Sequence, residues 1–158
     1  MTSRFLTLLG ILAASSLAAV PAHAEGCGKW TTAFGSLSGE GEALNASFCS
    51  EAAGSEYSFE ITCNSGSLNV RFMPQIEGEF DKVTVDYAID GKSFPVKTQF
   101  EELDGAFAAN ISVGNPMVKA MKTGHSAVVT LKDVKAPAYA VPLAGFKKAI
   151  SKLTRKCM

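Results

Sequence analysis

Few side chains in this sequence could carry out chemistry. His125 is the only histidine after residue 24, and it directly follows Gly124, a residue typical of helix ends. A hydrolase needs a nucleophile with a base within hydrogen-bond reach, and that base is most often a histidine. A lone histidine between a helix and a strand is more often structural or solvated. We therefore predict that the protein is not an enzyme, with a hydrolase that uses His125 and nearby carboxylates as an alternative.

Two groups of acidic residues are candidates for chemistry or for binding. Glycoside cleavage uses a pair of carboxylates, and an EF-hand holds calcium with an ordered set of oxygen ligands. Neither group has EF-hand order, and solvated loop charge explains both groups more simply than catalysis does. We predict no metal, and we regard both groups as candidate binding residues for a protein partner. They are Glu77, Glu79 and Asp81, and Glu101, Glu102 and Asp104.

The four cysteines are predicted to form two disulfides. No two of them are spaced as Cys-x-x-Cys, and their spacings match no zinc pattern. Three pairings are possible, and we favour Cys27–Cys49 together with Cys63–Cys157. The first bond would hold a Gly- and Ser-rich N-terminal segment, and the second would tie a strand to the last helix. No cofactor is expected.

The start of the chain has the pattern of a secretory signal peptide. Arg4 precedes an apolar run over residues 5–14, and Ala22-His23-Ala24 is a small-x-small cleavage site. The run is shorter than the roughly 20 residues that span a bilayer, and no lipid-anchor motif is met at the cleavage site. Residues 1–24 are therefore predicted to be removed. Residues 25–158 would form a single disulfide-bonded domain in the periplasm or outside the cell, without a membrane segment.

The charge of the chain is balanced in total but segregated along the sequence. Removing the leader takes away Arg4 and no acid, which leaves fourteen basic and fifteen acidic residues, a net charge of −1. This balance disfavours a nucleic-acid partner. Residues 77–104 contain eight acids and three bases, whereas six bases and no acid follow Asp133. Surfaces formed by such segments are either simply solvated or attract a partner of opposite charge.

From residue 57 onward the apolar residues alternate with polar ones in short runs, which predicts half-buried strands. Asp90-Gly91 predicts a two-residue hairpin turn, because both central residues of a type I′ turn need positive φ. Residues 25–55 lack this alternation and are predicted to be irregular or short-strand structure. The predicted strands are 57–63, 68–72, 83–89, 94–100, 107–111, 127–131 and 139–143.

Two helices complete the predicted fold. Asn115-Pro116 is a cap followed by a first-turn proline, and Gly124 ends the short helix that they open. Near the C-terminus, apolar residues recur at the spacing of one buried helical stripe. The predicted fold is a mainly β, antiparallel sandwich or small barrel of about seven strands, with a short helix and a C-terminal amphipathic helix. The stripe consists of Phe146, Ala149, Ile150 and Leu153.

The stretch Pro142-Leu143-Ala144-Gly145-Phe146, followed by Ala149-Ile150, carries a family resemblance. It resembles the strand-then-helix ending of invasion-associated locus B-like proteins, which are exported proteins of α-proteobacteria. The resemblance covers the end of the chain only. It implies a periplasmic or surface-exposed factor tied to host interaction, and it supplies no catalytic residue.

These observations together predict an exported, non-enzymatic protein-binding module, virulence-associated if it follows the family that it resembles. Its partner would be a host factor or a peptidoglycan hydrolase. The first alternative is an inhibitor of lysozyme-type hydrolases, which are typically very basic. An acidic loop at 77–81 or an acidic turn at 101–104 could dock on such an enzyme. The second alternative is the hydrolase that uses His125.

Overall fold

The computed structural model describes residues 27–36 and 42–157, and these residues form one antiparallel sheet of nine strands with two helices. In spatial order the sheet runs β1-β2-β3-β4-β7-β6-β5-β8-β9. The predicted leader, residues 1–24, lies outside the described residues. The strands are β1 (Thr31–Ser36), β2 (Glu42–Ser50), β3 (Tyr57–Asn64), β4 (Ser67–Pro74), β5 (Lys82–Ile89), β6 (Lys92–Glu101), β7 (Ala106–Ser112), β8 (Ser126–Leu131) and β9 (Tyr139–Pro142), and the helices are α1 (Pro116–Thr123) and α2 (Phe146–Cys157).

The predicted mainly β class is confirmed, and β3 to β9 correspond to the seven predicted strands. The described residues form nine strands and not seven, because β1 and β2 also belong to the sheet. Both strands lie in the segment that was predicted to be irregular or to form short strands. The alternation of apolar and polar residues is weak in this segment because small residues occupy positions that face the core. Ala46, for example, is fully buried beside Ile61 of β3.

The sheet is folded so that its two halves face each other. β7 pairs with only the last three residues of β6, whereas β6 pairs with β5 along most of its length. β3 and β5 are four strand positions apart, which is roughly 19 Å in a flat sheet. The rings of Phe59 in β3 and Tyr87 in β5 are nevertheless 5.8 Å apart. The sheet must therefore bend, and its inner faces enclose the core.

Two hydrogen bonds tie the first part of the chain to the last strand. The indole Nε1 of Trp30 donates to the carbonyl oxygen of Pro142 at 2.8 Å, and the hydroxyl of Tyr57 donates to that of Ala140 at 2.5 Å. Burial raises the pKa of the Tyr57 hydroxyl to about 12. Both side chains also belong to the aromatic core that the folded sheet encloses.

Both helices begin and pack as their sequences predict. The Asn115 side chain accepts the backbone N–H of Met117 at 2.9 Å and so caps α1, which ends where Gly124 donates to the carbonyl of Ala120. α2 packs against β1, β2, β3 and α1 through its predicted stripe, all of which is buried. Within the described ranges, neither helix is long and apolar enough to cross a membrane.

The favoured disulfide pairing is confirmed. Cys27 is bonded to Cys49, which links the residues before β1 to the end of β2. Cys63 is bonded to Cys157, which fixes the last turn of α2 to the end of β3. The described part of the chain contains no free cysteine. The two covalent links therefore fix the residues before β1 and the last turn of α2 to β2 and β3, the second and third strands of the sheet.

Candidate interaction surface

The two acidic groups singled out in the sequence lie at the same end of the sheet. β5 is not adjacent to β4, so residues 75–81 must cross the ends of β7 and β6 to reach it. Phe80, in the middle of this crossing, packs its ring 5.1 Å from that of Phe100 and 5.4 Å from that of Phe107. These contacts hold the crossing segment beside the β6–β7 turn. We call this surface the acidic end and define it by Glu77, Glu79, Asp81, Glu101, Glu102 and Asp104.

Four of these six carboxylates are open to solvent and lie outside the ion pairs of the described residues. Glu77, Glu79 and Glu102 are exposed and make no side-chain hydrogen bond within the described part of the chain. Asp81 is exposed and accepts a hydrogen bond of 2.7 Å from the Gln99 amide. The acidic end therefore keeps most of its negative charge uncompensated.

The remaining two carboxylates fix the β6–β7 turn to the sheet through Arg71. Nε and Nη2 of Arg71 donate to Oε2 of Glu101 at 3.1 and 2.8 Å, and Nη2 also donates to Oδ2 of Asp104 at 2.5 Å. The Arg71 side chain is only 7% exposed, although it lies on the outer face of β4, whereas those of Glu101 and Asp104 are 41% and 32% exposed. Charge-assisted bonds from a buried guanidinium restrict the turn to one position.

Glu60 of β3 supplies a third carboxylate beside the same guanidinium. Its Oε2 lies 4.0 Å from Nη1 of Arg71 and is buried without a hydrogen-bond partner among the described residues. Burial raises the pKa of the Glu60 carboxyl, the charge of Arg71 lowers it and the charge of Asp104 raises it, with a net rise. One cation thus faces three carboxylates, so this part of the surface also stays negative.

Leu103 forms the tip of the β6–β7 turn and is fully exposed. Two backbone hydrogen bonds close the turn. The N–H of Asp104 donates to the carbonyl oxygen of Glu101 at 3.3 Å, and the N–H of Gly105 donates to the carbonyl oxygen of Glu102 at 3.4 Å. Gly105 has a φ of +61°, a conformation that favours glycine. Single exposed leucines are common on protein surfaces. This one differs because its turn is fixed by a buried arginine and flanked by acids.

His125, the candidate base, is highly exposed, and its imidazole contacts no nucleophile among residues 27–36 and 42–157. Its Nδ1 lies 3.6 Å from Oδ2 of Asp90, and its side chain is 94% exposed. Within the part of the chain that the structure describes, no hydroxyl is hydrogen-bonded to this imidazole. The described ranges also contain no group of His, Cys, Asp and Glu side chains that could hold a metal ion. Nothing in this geometry supports the hydrolase alternative.

Asp90 has a structural role that can be tested by its pH dependence. It occupies the predicted hairpin turn with a φ of +46°, and its carboxylate accepts the backbone N–H groups of Ser126 and His125 at 3.1 Å. These hydrogen bonds lower the pKa of Asp90 below its ordinary value, and the bond from Ser126 has the larger effect. A carboxyl whose pKa is lower in the folded protein than in the unfolded chain stabilises the fold at pH values above the pKa that it has in the unfolded chain. This contribution is lost as the pH falls through the pKa that the carboxyl has in the folded protein.

We therefore expect Asp90→Asn to lower the melting temperature at pH 6 and to have progressively less effect below about pH 4, where the unfolded carboxyl titrates. Asn tolerates the positive φ of this turn, so the variant removes the charge without straining the backbone. The measurement is thermal unfolding of both proteins between pH 6 and pH 2. A difference that stays constant over this range would rule out the carboxylate as the cause.

Sequence reasoning missed Arg71, Glu60 and Leu103 as parts of the surface. A signal for the first two was available, because a two-residue turn at Ser65-Gly66 places Glu60 directly opposite Arg71 on the outer face of the hairpin. No local signal marked Leu103, because its exposure depends on how the turn leaves the sheet. The six acidic residues are visible in the sequence as two separate groups, but their shared location follows only from the crossing between β4 and β5.

Fold and surface together define a mainly β, two-disulfide protein with a C-terminal helix and an acidic end built on a fixed turn. Comparisons of this chain with models of known protein families, with curated proteins and with solved structures found no match.

Proposed function

We propose that the protein is an exported, non-enzymatic binding module that recognises basic proteins through its acidic end. The observation that carries the proposal is the Arg71 cluster, which fixes Glu101 and Asp104 and thereby holds Leu103 away from the sheet. A loop that is already fixed loses little conformational freedom when it binds, so less of the interaction energy is spent on ordering it.

The chemistry of the surface favours a protein partner with a basic rim around an apolar pocket. Leu103 supplies an apolar contact at the centre, and exposed carboxylates on both sides supply electrostatic complementarity. An apolar anchor within a charged rim is the usual arrangement of a protein interface. The uncompensated charge of Glu77, Glu79 and Glu102 would also accelerate encounter with a cationic partner at low salt.

Among basic proteins outside the cytoplasm, a lysozyme-type peptidoglycan hydrolase is the partner that we propose to test first. The predicted export of this chain and its two disulfides suit the same compartment. The resemblance of the C-terminal segment to invasion-associated locus B-like proteins suits a host-derived partner, and it would make the module virulence-associated. Inhibition follows if the acidic end occupies the substrate cleft, where exposed carboxylates would meet the basic residues of the enzyme.

The test combines a binding titration by calorimetry with a turbidity assay of cell-wall lysis, using purified lysozyme as the probe. We expect saturable binding that weakens as salt increases, because screening reduces the attraction between opposite charges. We also expect slower lysis in the presence of the protein. Absence of both binding and inhibition at a large molar excess would exclude lysozyme as the partner and would remove the inhibitor role.

Replacing Leu103 by threonine is expected to weaken this binding by about fivefold or more, because an apolar anchor at the centre of an interface contributes at least about 1 kcal/mol. The matched control is Val128→Thr, since Val128 is also an exposed apolar residue but lies on the outer face of β8. The control should bind as the wild type does. Equal affinity of the two variants would show that Leu103 is not part of the interface.

A further inference from the structure

The outward face of α2 carries strong positive charge that no acidic side chain of the described residues balances in an ion pair. The helix sequence contains no acid, and Lys147, Lys148, Lys152 and Arg155 are all exposed. None of these four side chains makes an ion pair within the described ranges. They border a shallow depression that also involves Gly145 and Ser151. We call these four residues the basic face of α2.

Retaining this face costs stability in the protein alone. Lys148 and Lys152 are four positions apart on the helix, and Arg155 is three positions further, so each is a surface neighbour of the next. Like charges at these spacings destabilise a helix. Only the bases in the last turn are favoured by the helix dipole. An anionic surface placed against α2 would relieve this repulsion and gain from all four charges at once.

The helix is held firmly, and its apolar side is not available for binding. Phe146, Ile150 and Leu153 are completely buried against the sheet, and Cys157 is bonded to β3. The bases from Lys147 to Arg155 therefore form a fixed row that is roughly 12 Å long. A partner can meet this row only with its surface charges, because no apolar side chain of α2 can insert into it.

We propose that the basic face of α2 docks the protein on an anionic lipid bilayer, with the four bases contacting phosphate headgroups. A bilayer surface offers closely spaced phosphates in a plane, and a fixed row of ammonium and guanidinium groups needs no specific pocket to bind them. Nucleic acid fits less well, because sequence-tolerant binding of single strands uses aromatic side chains for stacking. The described residues of this face include none.

The separation of charge also orients the protein on such a surface. Sγ of Cys157, at the end of α2, lies 3.2 Å from the carbonyl oxygen of Ser67 at the start of β4. The crossing segment of the acidic end follows Pro74 at the other end of β4. An anionic bilayer attracts α2 and repels the acidic end, so docking would leave the acidic end exposed to other proteins. This inference does not depend on the partner proposed for that end.

Co-sedimentation of the purified protein with lipid vesicles tests the inference. We expect binding to vesicles of phosphatidylcholine with a quarter of phosphatidylglycerol, little binding to phosphatidylcholine alone, and release at high salt. Each base near an anionic surface strengthens binding by roughly fivefold. Lys148→Gln together with Lys152→Gln should therefore weaken binding by roughly 25-fold. The double variant should remain folded, because it removes repulsion within the helix.

The matched control is Lys92→Gln with Lys97→Gln, which removes the same charge from two exposed lysines of β6. The control should bind the anionic vesicles nearly as well as the wild type. Equal losses in the two double variants would show that net charge and not α2 governs binding, and would overturn the proposal. Absence of binding to anionic vesicles would overturn it as well. So would binding to polyglutamate without binding to vesicles, which would assign the face to an acidic protein.

Discussion

Replacing Cys63 and Cys157 together by serine is expected to lower the free energy of unfolding by about 4–5 kcal/mol. The bond joins residues that are 94 positions apart, so it removes more conformational entropy from the unfolded chain than a bond between nearby residues would. It also fixes the last turn of α2, where Leu153 is buried. A loss of this size is comparable to the whole stability of many small domains. Urea unfolding of the oxidised wild type and of the double variant measures it.

The matched comparison is the double serine variant of Cys27 and Cys49. This bond closes a loop of 22 positions, so the same entropy argument predicts a smaller loss of about 3 kcal/mol. Both variants remove two sulfurs from half-buried or buried positions, which makes loop length the main difference between them. A larger loss for the Cys27–Cys49 variant would contradict the assignment of the long-range bond as the main covalent stabiliser.

Replacing Arg71 by methionine is expected to destabilise the protein by about 3 kcal/mol at neutral pH. Removing one partner of a buried ion pair typically costs 3–5 kcal/mol, and the lower end applies because Glu101 and Asp104 can recover hydration once released. Glu60 is the more deeply buried of the three carboxylates and would be left with an unopposed charge. The loss should shrink as pH falls, because the Glu60 carboxyl, whose pKa is raised by burial, then becomes protonated and no longer carries a charge that Arg71 must oppose.

A second variant separates two contributions to the stability loss of Arg71→Met, the unopposed charge of Glu60 and the lost packing of the arginine side chain. Adding Glu60→Gln to Arg71→Met removes the carboxylate that burial already disfavours, so it should restore part of the lost stability. The same argument predicts that Glu60→Gln alone does not destabilise the wild type at neutral pH. Chemical unfolding of the four proteins of this cycle gives the coupling between the two residues. Additive losses would show that Glu60 and Arg71 do not interact energetically.

Much of the fold could be predicted because its signals are local. Alternating apolar residues marked seven strands, and the capping pattern around Asn115 marked α1. The stripe from Phe146 to Leu153 is the buried side of α2, and the four cysteines pair as favoured. These features depend on neighbouring residues, or on the expectation that four cysteines in a chain that is predicted to be exported form two disulfides.

What could not be predicted depends on residues that are distant in the sequence. The crossing from β4 to β5 places two acidic segments side by side, and no local pattern indicates that β7 and β6 lie between these strands. The same crossing lets Phe80 pack on Phe107, a contact that fixes the loop. Arg71 alternates with the inward-facing Val70 and Phe72, so it lies on the outer face of β4. Its burial arises only because the β6–β7 turn folds back over it.

The distribution of charge was visible in the sequence, but its arrangement in space was not. A near-neutral total conceals a cluster of acids around the β6–β7 turn and a row of bases on α2. The strands fixed between these two surfaces keep the charges apart, because Cys63–Cys157 holds α2 at the opposite end of β4 from the acidic segment. Both proposed interactions, with a basic protein and with an anionic bilayer, depend on this segregation of charge on a fixed scaffold.

Recognition of a basic protein by the acidic end can be tested by titrating the isotope-labelled protein with purified lysozyme and following the chemical shifts of its backbone amides by NMR. We expect the perturbed amides to cluster at residues 77–81 and 101–105, with little change along α2. Leu103 and its neighbours should show the largest shifts. Perturbations that cluster on α2 or around His125, or no perturbation at saturating lysozyme, would contradict recognition of this basic protein by the acidic end.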